Sequence, residues 1–301
     1  MVEWTTVATG LRFPEGPVAM ADGSIVLVEI EQGRITRVRP DGAKDVIATP
    51  GGGPNGLAIG PDGKLYCCNN GGFVYHENNG LLAPGGQPDD YSGGRIERID
   101  LATGTMEVLY RDGDFGCSLR GPNDIVFDDA GGFWFTDHGK TRERERDRTG
   151  IFYARADGSL LKEVIFPSEN PNGVGLSPDG KRLYAAETFT CRLMAFDVTG
   201  PGEIASPSGM PLYRPAGGKW FDSLGVEECG NICVATIGEC GISVISPTGE
   251  LVEFVATDDI FTTNICWGGD DMCDAYVTCS GTGRLVKTRW PRPGLRLHYS
   301  A

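Results

Sequence analysis

Gly121-Pro122-Asn123-Asp124-Ile125-Val126-Phe127 runs into the turn Asp128-Asp129-Ala130-Gly131-Gly132 and returns as Phe133-Trp134-Phe135-Thr136. A polar residue after proline opens a short strand, a Gly/Asp turn reverses it, and an aromatic strand comes back. The same pattern is written again at Gly53-Pro54-Asn55-Gly56-Leu57 with Pro61-Asp62-Gly63-Lys64-Leu65-Tyr66, and at Asn170-Pro171-Asn172-Gly173-Val174 with Pro178-Asp179-Gly180-Lys181-Arg182-Leu183-Tyr184. Fainter copies begin at Phe13-Pro14-Glu15-Gly16-Pro17, at Phe221-Asp222-Ser223-Leu224 and at Thr263-Asn264-Ile265-Cys266-Trp267. The polar openers are Glu15, Asn55, Asn123, Asn172, Asp222 and Asn264, separated by roughly 40 to 70 residues. Such a period, with several short strands per repeat, predicts an all-β, six-bladed β-propeller with four-stranded antiparallel blades around a central channel.

The 301 residues carry 45 Gly and 19 Pro with 40% hydrophobic residues, a composition suited to many short strands and tight turns. No linker or low-complexity run divides them, so residues 1–301 are expected to form one domain. The net charge of −14 repels phosphate backbones and anionic membrane surfaces, which argues against nucleic acid or membrane as partner. The start, Met1 to Ala8, lacks a basic and apolar leader, and no run is long enough to span a membrane, so a cytoplasmic compartment is expected. Ten cysteines in that setting are expected to be reduced thiols. Cys67, Cys68, Cys191, Cys233, Cys266 and Cys279 lie in apolar strand patterns. A zinc site from Cys229, Cys233 and Cys240, or from Cys266, Cys273 and Cys279, lacks both a C-x-x-C knuckle and a nearby His.

The strand around Thr5 to Ala8 has no partner in its own repeat and is expected to pair near the C-terminus, closing the ring and removing two edges. The longest irregular stretch runs from Asn69 to Gly94. If each first strand leaves the channel mouth and the second returns to it, this stretch, with Tyr75, His76, Asp89, Asp90 and Tyr91, roofs the opening. Thr136-Asp137-His138-Gly139-Lys140 leaves blade three at the same mouth, followed by a mixed-charge solvated run, Arg142 to Arg148.

Two acids and four asparagines converging on one axis, with no Lys or Arg among them, are costly to bury unless a cation satisfies them. Oxygen donors select hard ions such as calcium, magnesium or manganese, and amide with carboxylate can also hold zinc or iron(II). Turn chemistry competes with this account, because Asn in Pro-Asn-Gly makes Asx turns, and for Asn55 and Asn264 taken alone it suffices. For Glu15 it does not, since glutamate is not a turn residue.

Phe13-Pro14-Glu15-Gly16-Pro17, Gly121-Pro122-Asn123-Asp124, Phe135-Thr136-Asp137, Pro171-Asn172-Gly173-Val174-Gly175-Leu176-Ser177-Pro178-Asp179-Gly180 and Thr263-Asn264-Ile265-Cys266-Trp267-Gly268-Gly269 together resemble the gluconolactonase/regucalcin/luciferin-regenerating enzyme family, from Phe13 to Trp290. The resemblance implies one divalent ion in the channel, calcium first among the candidates, held by Glu15, Asn172 and Asp222, with Asn123 contacting the ion or the substrate. It implies a sugar lactone or similar small lactone as substrate and Asp222 as general base, the ion acting as Lewis acid on the lactone carbonyl. Arg120, His138 and Asn55 join Asn123 as candidate substrate-binding residues. The chain departs from the family's usual Asp-Gly at Asp222-Ser223. Aryl-ester or phosphotriester hydrolysis on the same scaffold, and a non-catalytic calcium-binding propeller, are the alternatives.

Overall fold

Each opener and its returning strand do form the inner half of a blade. In the computed structural model, which describes residues 2–300, blade three pairs Pro122–Phe127 with Gly132–Asp137, then Thr149–Arg155 and Leu161–Ser168, all antiparallel. Blade one is built from Pro14–Ala19, Ile25–Glu29, Arg34–Val38 and Lys44–Ala48, and blade two from Pro54–Ile59, Leu65–Asn69, Arg95–Ile99 and Met106–Arg111. Blade four has Pro171–Leu176, Arg182–Glu187 and the long Arg192–Gly200, against which both Glu203–Ile204 and Met210–Tyr213 pair. Blade five is Trp220–Val226, Ile232–Ile237, Gly241–Ile245 and Leu251–Ala256.

Blade six shows how the ring closes. Its strands Thr262–Gly268, Asp274–Cys279 and Arg284–Arg289 lack a fourth from the C-terminal side, and Thr5–Ala8 supplies it, with Thr5 opposite Lys287 and Thr6 opposite Val286. Circular closure leaves no inner sheet edge to pair with another chain.

The core lies between blades. Tyr66 of blade two meets Phe127 and Phe133 of blade three at ring separations of 5.0 and 5.7 Å, and Phe135 stacks on Phe152 at 5.1 Å. The inner strands approach too closely for ordinary side chains at one level. A Cβ on Gly56 would lie 2.4 Å from the Asn123 carbonyl oxygen, and one on Gly173 would lie 2.5 Å from the Leu224 nitrogen. All ten cysteines are free thiols, five of them buried as small apolar groups. Cys191 departs from its expected strand: it is a turn residue with φ of 56°, just ahead of Arg192–Gly200.

A bulge recurs at the same place in every inner strand. Between Pro54 and Leu57, Pro122 and Ile125, Pro171 and Val174, and Phe221 and Leu224, the inner strand carries one residue more than its partner, and blades one and six repeat this at Glu15/Val18 and Thr262/Asn264. An extra residue re-aims side chains, and here it falls on the openers. The register also corrects one expectation. The opener follows the residue paired with the end of the second strand, and in blade six that pair is Thr262 with Cys279, so Thr263 holds the opener position. Asn264 stands one residue deeper, level with Asp124 and Ser223.

The 69–94 stretch is not irregular throughout. Tyr75–Asn78 and Leu81–Pro84 form a hairpin across Asn79-Gly80, both with positive φ, the combination a two-residue type I′ turn requires. The arm leaves blade two and reaches both neighbouring sides of the mouth. Leu82 donates its N–H to the Gly281 carbonyl of blade six at 2.8 Å, Gln87 donates to the Thr141 carbonyl in the loop between the second and third strands of blade three at 2.9 Å, and Arg12 pairs with Glu77 at 2.9 Å.

Candidate active site

Blade geometry gathers the openers Glu15, Asn55, Asn123 and Asn172 in the channel as buried residues, with Asp222 half-buried among them. Their hydrogen bonds are incomplete in an informative way. Glu15 Oε2 accepts from Asn264 Nδ2 at 2.7 Å and from the Gly16 N–H, while Glu15 Oε1 is buried with no partner. Asn123 Oδ1 is likewise buried and unpartnered. Asn172 donates through Nδ2 to Thr188 Oγ1 at 3.2 Å, which turns its Oδ1 the other way, toward Ser223 Oγ at 3.5 Å. An orphaned buried oxygen costs about 1–3 kcal/mol, more when charged, so two in one channel mark a place built to receive a ligand that supplies positive charge.

The electrostatics agree. Burial pushes the Glu15 carboxyl up; burial and the charge of Glu15 push Asp222 well up, and the same two causes act on Asp124. Elsewhere the chain treats buried acids differently: Glu29, Glu97, Glu187 and Glu227 each meet an arginine, at 2.6 to 2.8 Å. Among the described residues, Glu15, Asp124 and Asp222 have no such partner. Nor do three His, Cys, Asp or Glu side chains gather there as a cluster of classical ligands. The donor set offered is two carboxylates and two amides, oxygen only, which fits a hard cation such as calcium and does not fit a thiolate or imidazole zinc centre.

A repeated side chain shapes the mouth above this ring, and it escaped sequence reading. The last residue of the second strand ties down the segment entering the first. Glu29 accepts the Arg12 N–H at 2.9 Å, Asn69 Oδ1 accepts that of Gly53 at 2.9 Å, and Asp137 accepts those of Arg120 and Gly121, both at 2.7 Å. Glu187 accepts the Glu169 N–H at 3.1 Å. Aligning the repeats at their strand ends would have exposed this Glu, Asn, Asp, Glu series.

The next residue in each blade caps the mouth. Asn70 donates its N–H to Gly53, His138 to Gly121 and Thr188 to Asn170, through the same backbone bond in three successive blades. His138 is held at the mouth by this bond to Gly121; burial, then the charges of Lys140 and Arg146, hold its pKa down to about 4, so the ring is neutral. Arg120 lies farther out. Its side chain is about half exposed and its Nη1 faces Asp112 at 3.4 Å. Lys140, which no motif flagged, is buried beneath the arm. Its Nζ donates to Asn70 Oδ1 at 3.0 Å and to the Gly72 carbonyl at 2.6 Å and stands 3.7 Å from the Phe73 ring centre, with its pKa pulled down to about 7 by burial. It clamps the arm to blade three.

Below the ring the channel opens into a cavity of about 120 Å³ walled by apolar residues such as Leu57, Ile125, Val174 and Leu224. The C-terminal segment floors it, with Leu295 donating to the Val226 carbonyl at 2.8 Å. Asp124 and Asn264 also line it, as do His298 and Ser300 of the C-terminal segment.

Comparison with known proteins bears on the whole ring. The family model described as SMP-30/Gluconolactonase/LRE-like region matches residues 13–281. A gluconolactonase of Zymomonas mobilis is 24% identical over 315 residues, taking in 94% of this chain and 80% of that protein. A lactonase drp35 of Staphylococcus haemolyticus is 29% identical over 238 residues, 78% of this chain and 66% of the relative. Among solved structures, a gluconolactonase from Xanthomonas campestris superposes with a TM-score of 0.76 at 21% identity, covering 95% of this chain and 89% of that one. A calcium-binding regucalcin from Agrobacterium tumefaciens does so with 0.73 at 19%, covering 97% and 99%. The structural likenesses speak to the fold; the matched span of sequence, which holds Glu15, Asn123, Asn172 and Asp222 together, places the chain in the SMP-30/gluconolactonase/LRE-like family.

Proposed function

We propose that the protein is a metal-dependent hydrolase that opens a small lactone, of the sugar-lactone kind or similar, to its hydroxy acid. The observation that carries this reading is the pair of orphaned buried oxygens, Glu15 Oε1 and Asn123 Oδ1, facing a channel of unpaired carboxylates. Glu15, Asn123, Asn172 and Asp222 would hold one divalent cation. Calcium is favoured by the oxygen-only donor set and by the calcium-binding relative of the same fold. When bound, the cation supplies Lewis acidity toward a carbonyl oxygen.

The remaining work falls to side chains. Asp222, half-buried where the others are covered, is the one ligand a water in the channel can reach, and its carboxylate takes that water's proton as the water attacks the lactone carbonyl. Asn172 keeps its own amide turned by Thr188, which fixes its oxygen in the ring. Asn55 and Asn123 offer amides to the substrate's oxygens, and neutral His138 serves as a hydrogen-bonding partner without adding charge. Arg120 would have to leave Asp112 to join them. The arm over blades six, one, two and three restricts solvent from that side. The partner in this reading is a small lactone; the net charge of −14 disfavours nucleic acid and anionic membrane surfaces as partners.

The test is elemental analysis of protein purified without chelator, followed by a pH-release assay over a lactone panel with wild type and Asp222→Ala. One divalent ion per chain, turnover by wild type, and a loss of about 10³-fold in kcat with an unchanged circular-dichroism spectrum are expected. Ion binding without turnover of any lactone would leave a calcium-binding propeller instead.

A further inference from the structure

The arm between Asn70 and Gly94 covers the mouth unevenly. It is tied to blade six through Gly281, to the start of blade one through Arg12, and to the loop between the second and third strands of blade three through Thr141 and Lys140. Among the described residues no such tie reaches blades four and five. On that open side the loops at the mouth are short, and they carry apolar groups in water: Phe189, 37% exposed in the turn after Arg182–Glu187; Trp220, 49% exposed at the start of Trp220–Val226; and Ile260, 42% exposed, whose carbonyl accepts the Gly238 N–H. Phe189 and Trp220 meet edge to face at 5.8 Å, and Phe189 continues to the neutral His138 ring at 5.7 Å. The guanidinium of Arg146 lies 4.4 Å from the centre of the Phe189 ring. The result is a shelf of rings running from His138 through Phe189 to Trp220, which stands two residues from Asp222 on the same strand.

The two sides of the mouth differ in chemistry. On the covered side, Asn70 Nδ2 and Tyr75 OH are buried polar atoms with no protein partner, as is His138 Nδ1 at the border between the two sides. The open side presents exposed rings, with Arg146 and the Lys219–Glu239 pair beside them. A ligand whose ring oxygens face the covered side and whose hydrocarbon part leaves over the shelf would satisfy both at once. A ring bearing hydroxyls all round would strand some of them against Phe189 and Trp220.

We infer that the substrate is an amphipathic lactone, its ring seated over Asp222 and an alkyl or aryl substituent lying across Phe189 and Trp220, which act as specificity-determining residues. This rests on the lactonase reading and narrows its substrate class. Covering a half-exposed aromatic ring removes apolar surface from water, so the substituent is felt in binding, as KM, and not in the chemical step.

The experiment compares kcat/KM for three six-membered lactones: δ-decalactone, with an alkyl chain; δ-valerolactone, without one; and δ-gluconolactone, hydroxylated round the ring. Wild type is expected to favour δ-decalactone over δ-valerolactone by at least about tenfold, through KM. That ratio is expected to fall about tenfold in Phe189→Ala and in Trp220→Ala, with Tm near wild type because both side chains are already partly solvated. Phe254→Ala, an exposed aromatic on the outermost strand of blade five, leaves the ratio unchanged. Preference for δ-gluconolactone, or a ratio that neither shelf variant moves, overturns the inference while the lactonase reading stands. If none of the three lactones is opened, the lactonase reading falls. Calorimetry with the lactam analogue of δ-decalactone then still probes the shelf: binding weakened about tenfold in Trp220→Ala supports it, and no binding to wild type overturns it.

Discussion

Two groups of buried acids in this propeller meet opposite fates. Within the blades, Glu227 has no exposed side-chain surface, yet it accepts from Arg292 Nε at 2.6 Å, Trp290 Nε1 at 2.7 Å and Asn231 Nδ2 at 2.8 Å. Burial raises its pKa, but these donors outweigh burial and hold the carboxyl below the usual range. Glu29 is treated alike: Arg34, Thr36 and the Arg12 N–H more than offset its burial. In the channel, Glu15 and Asp124 are buried, Asp222 is half-buried beside them, and all three rise instead. The first group is structure completed by the chain itself. The second is a deficit of positive charge that the chain maintains, and such a deficit is stable in folded protein only if something outside the chain fills it.

Exchanging acid for amide on either side should break this contrast in opposite directions. Asp222→Asn removes a ligand and the proposed base but keeps the shape, so kcat should fall about 10³-fold. The ion-free protein should nevertheless melt higher, because one of three mutually repelling carboxylates is gone. Glu227→Gln should do the reverse. It removes the buried partner of Arg292, which keeps Glu253, and should cost about 1.5 kcal/mol of stability by urea unfolding, the worth of a hydrogen bond to a charged group, while the folded fraction keeps its kcat. A Glu227→Gln protein that is as stable as wild type would mean the blade acids are not structural.

The pH dependence of stability sharpens the comparison. Glu29 and Glu227 have folded pKa values below their unfolded ones, so their contribution is present above about pH 4.3 and is lost as pH falls through the folded values. Glu15, Asp124 and Asp222 have folded values above their unfolded ones. From about pH 4 upward the folded, ion-free chain therefore retains protons the unfolded chain has released, and its stability declines as pH rises toward those raised values. Calcium at about 100 times its Kd should return about 2.7 kcal/mol at neutral pH and progressively less in acid, where protons compete for the same oxygens. Scanning calorimetry of chelated and calcium-loaded protein across pH 4 to 8 reads this directly; a calcium increment that does not shrink in acid would mean the ion binds elsewhere.

The ring of openers was legible because it is written in the repeat: a proline or aromatic, a polar residue, then an apolar strand, five times over. Blade six was misread by one residue because Thr262-Thr263-Asn264-Ile265 has no proline to fix the phase, and an asparagine is the obvious polar match. Only strand pairing shows that Thr263, bonded to Thr278 Oγ1 at 2.9 Å, holds the opener's place. The arm's hairpin left its own signal, Asn79-Gly80 between short β-prone runs, which the polar length around it obscured. Lys140 left none, since burial of a lysine depends on Asn70, Gly72 and Phe73, all about 70 residues earlier in the chain. Arg120 was placed by its neighbour Asn123, but Asp112 draws its side chain outward, a contact that no repeat encodes.

The residue misread in blade six supplies the finest test of the contrast. Asn264 reaches Glu15 from one level below and gives Oε2 a hydrogen bond of 2.7 Å, leaving Oε1 as the atom without a partner. It therefore selects which carboxylate oxygen is presented to the channel. Without it, Glu15 keeps only the Gly16 N–H and can rotate. Outer partners of ligating carboxylates typically change affinity by 10- to 100-fold, and a single neutral amide sits at the low end, so Asn264→Ala should weaken calcium binding about tenfold by titration calorimetry. Asn264→Asp should weaken it differently, by turning a donor into an acceptor that repels Glu15 and pushes its pKa higher still, so that the calcium affinity becomes steeper in pH. If Asn264→Ala binds calcium as wild type does, the orientation of Glu15 is set by the strand bulge alone, and the charge deficit in the channel is a property of the backbone register more than of the side chains packed beneath it.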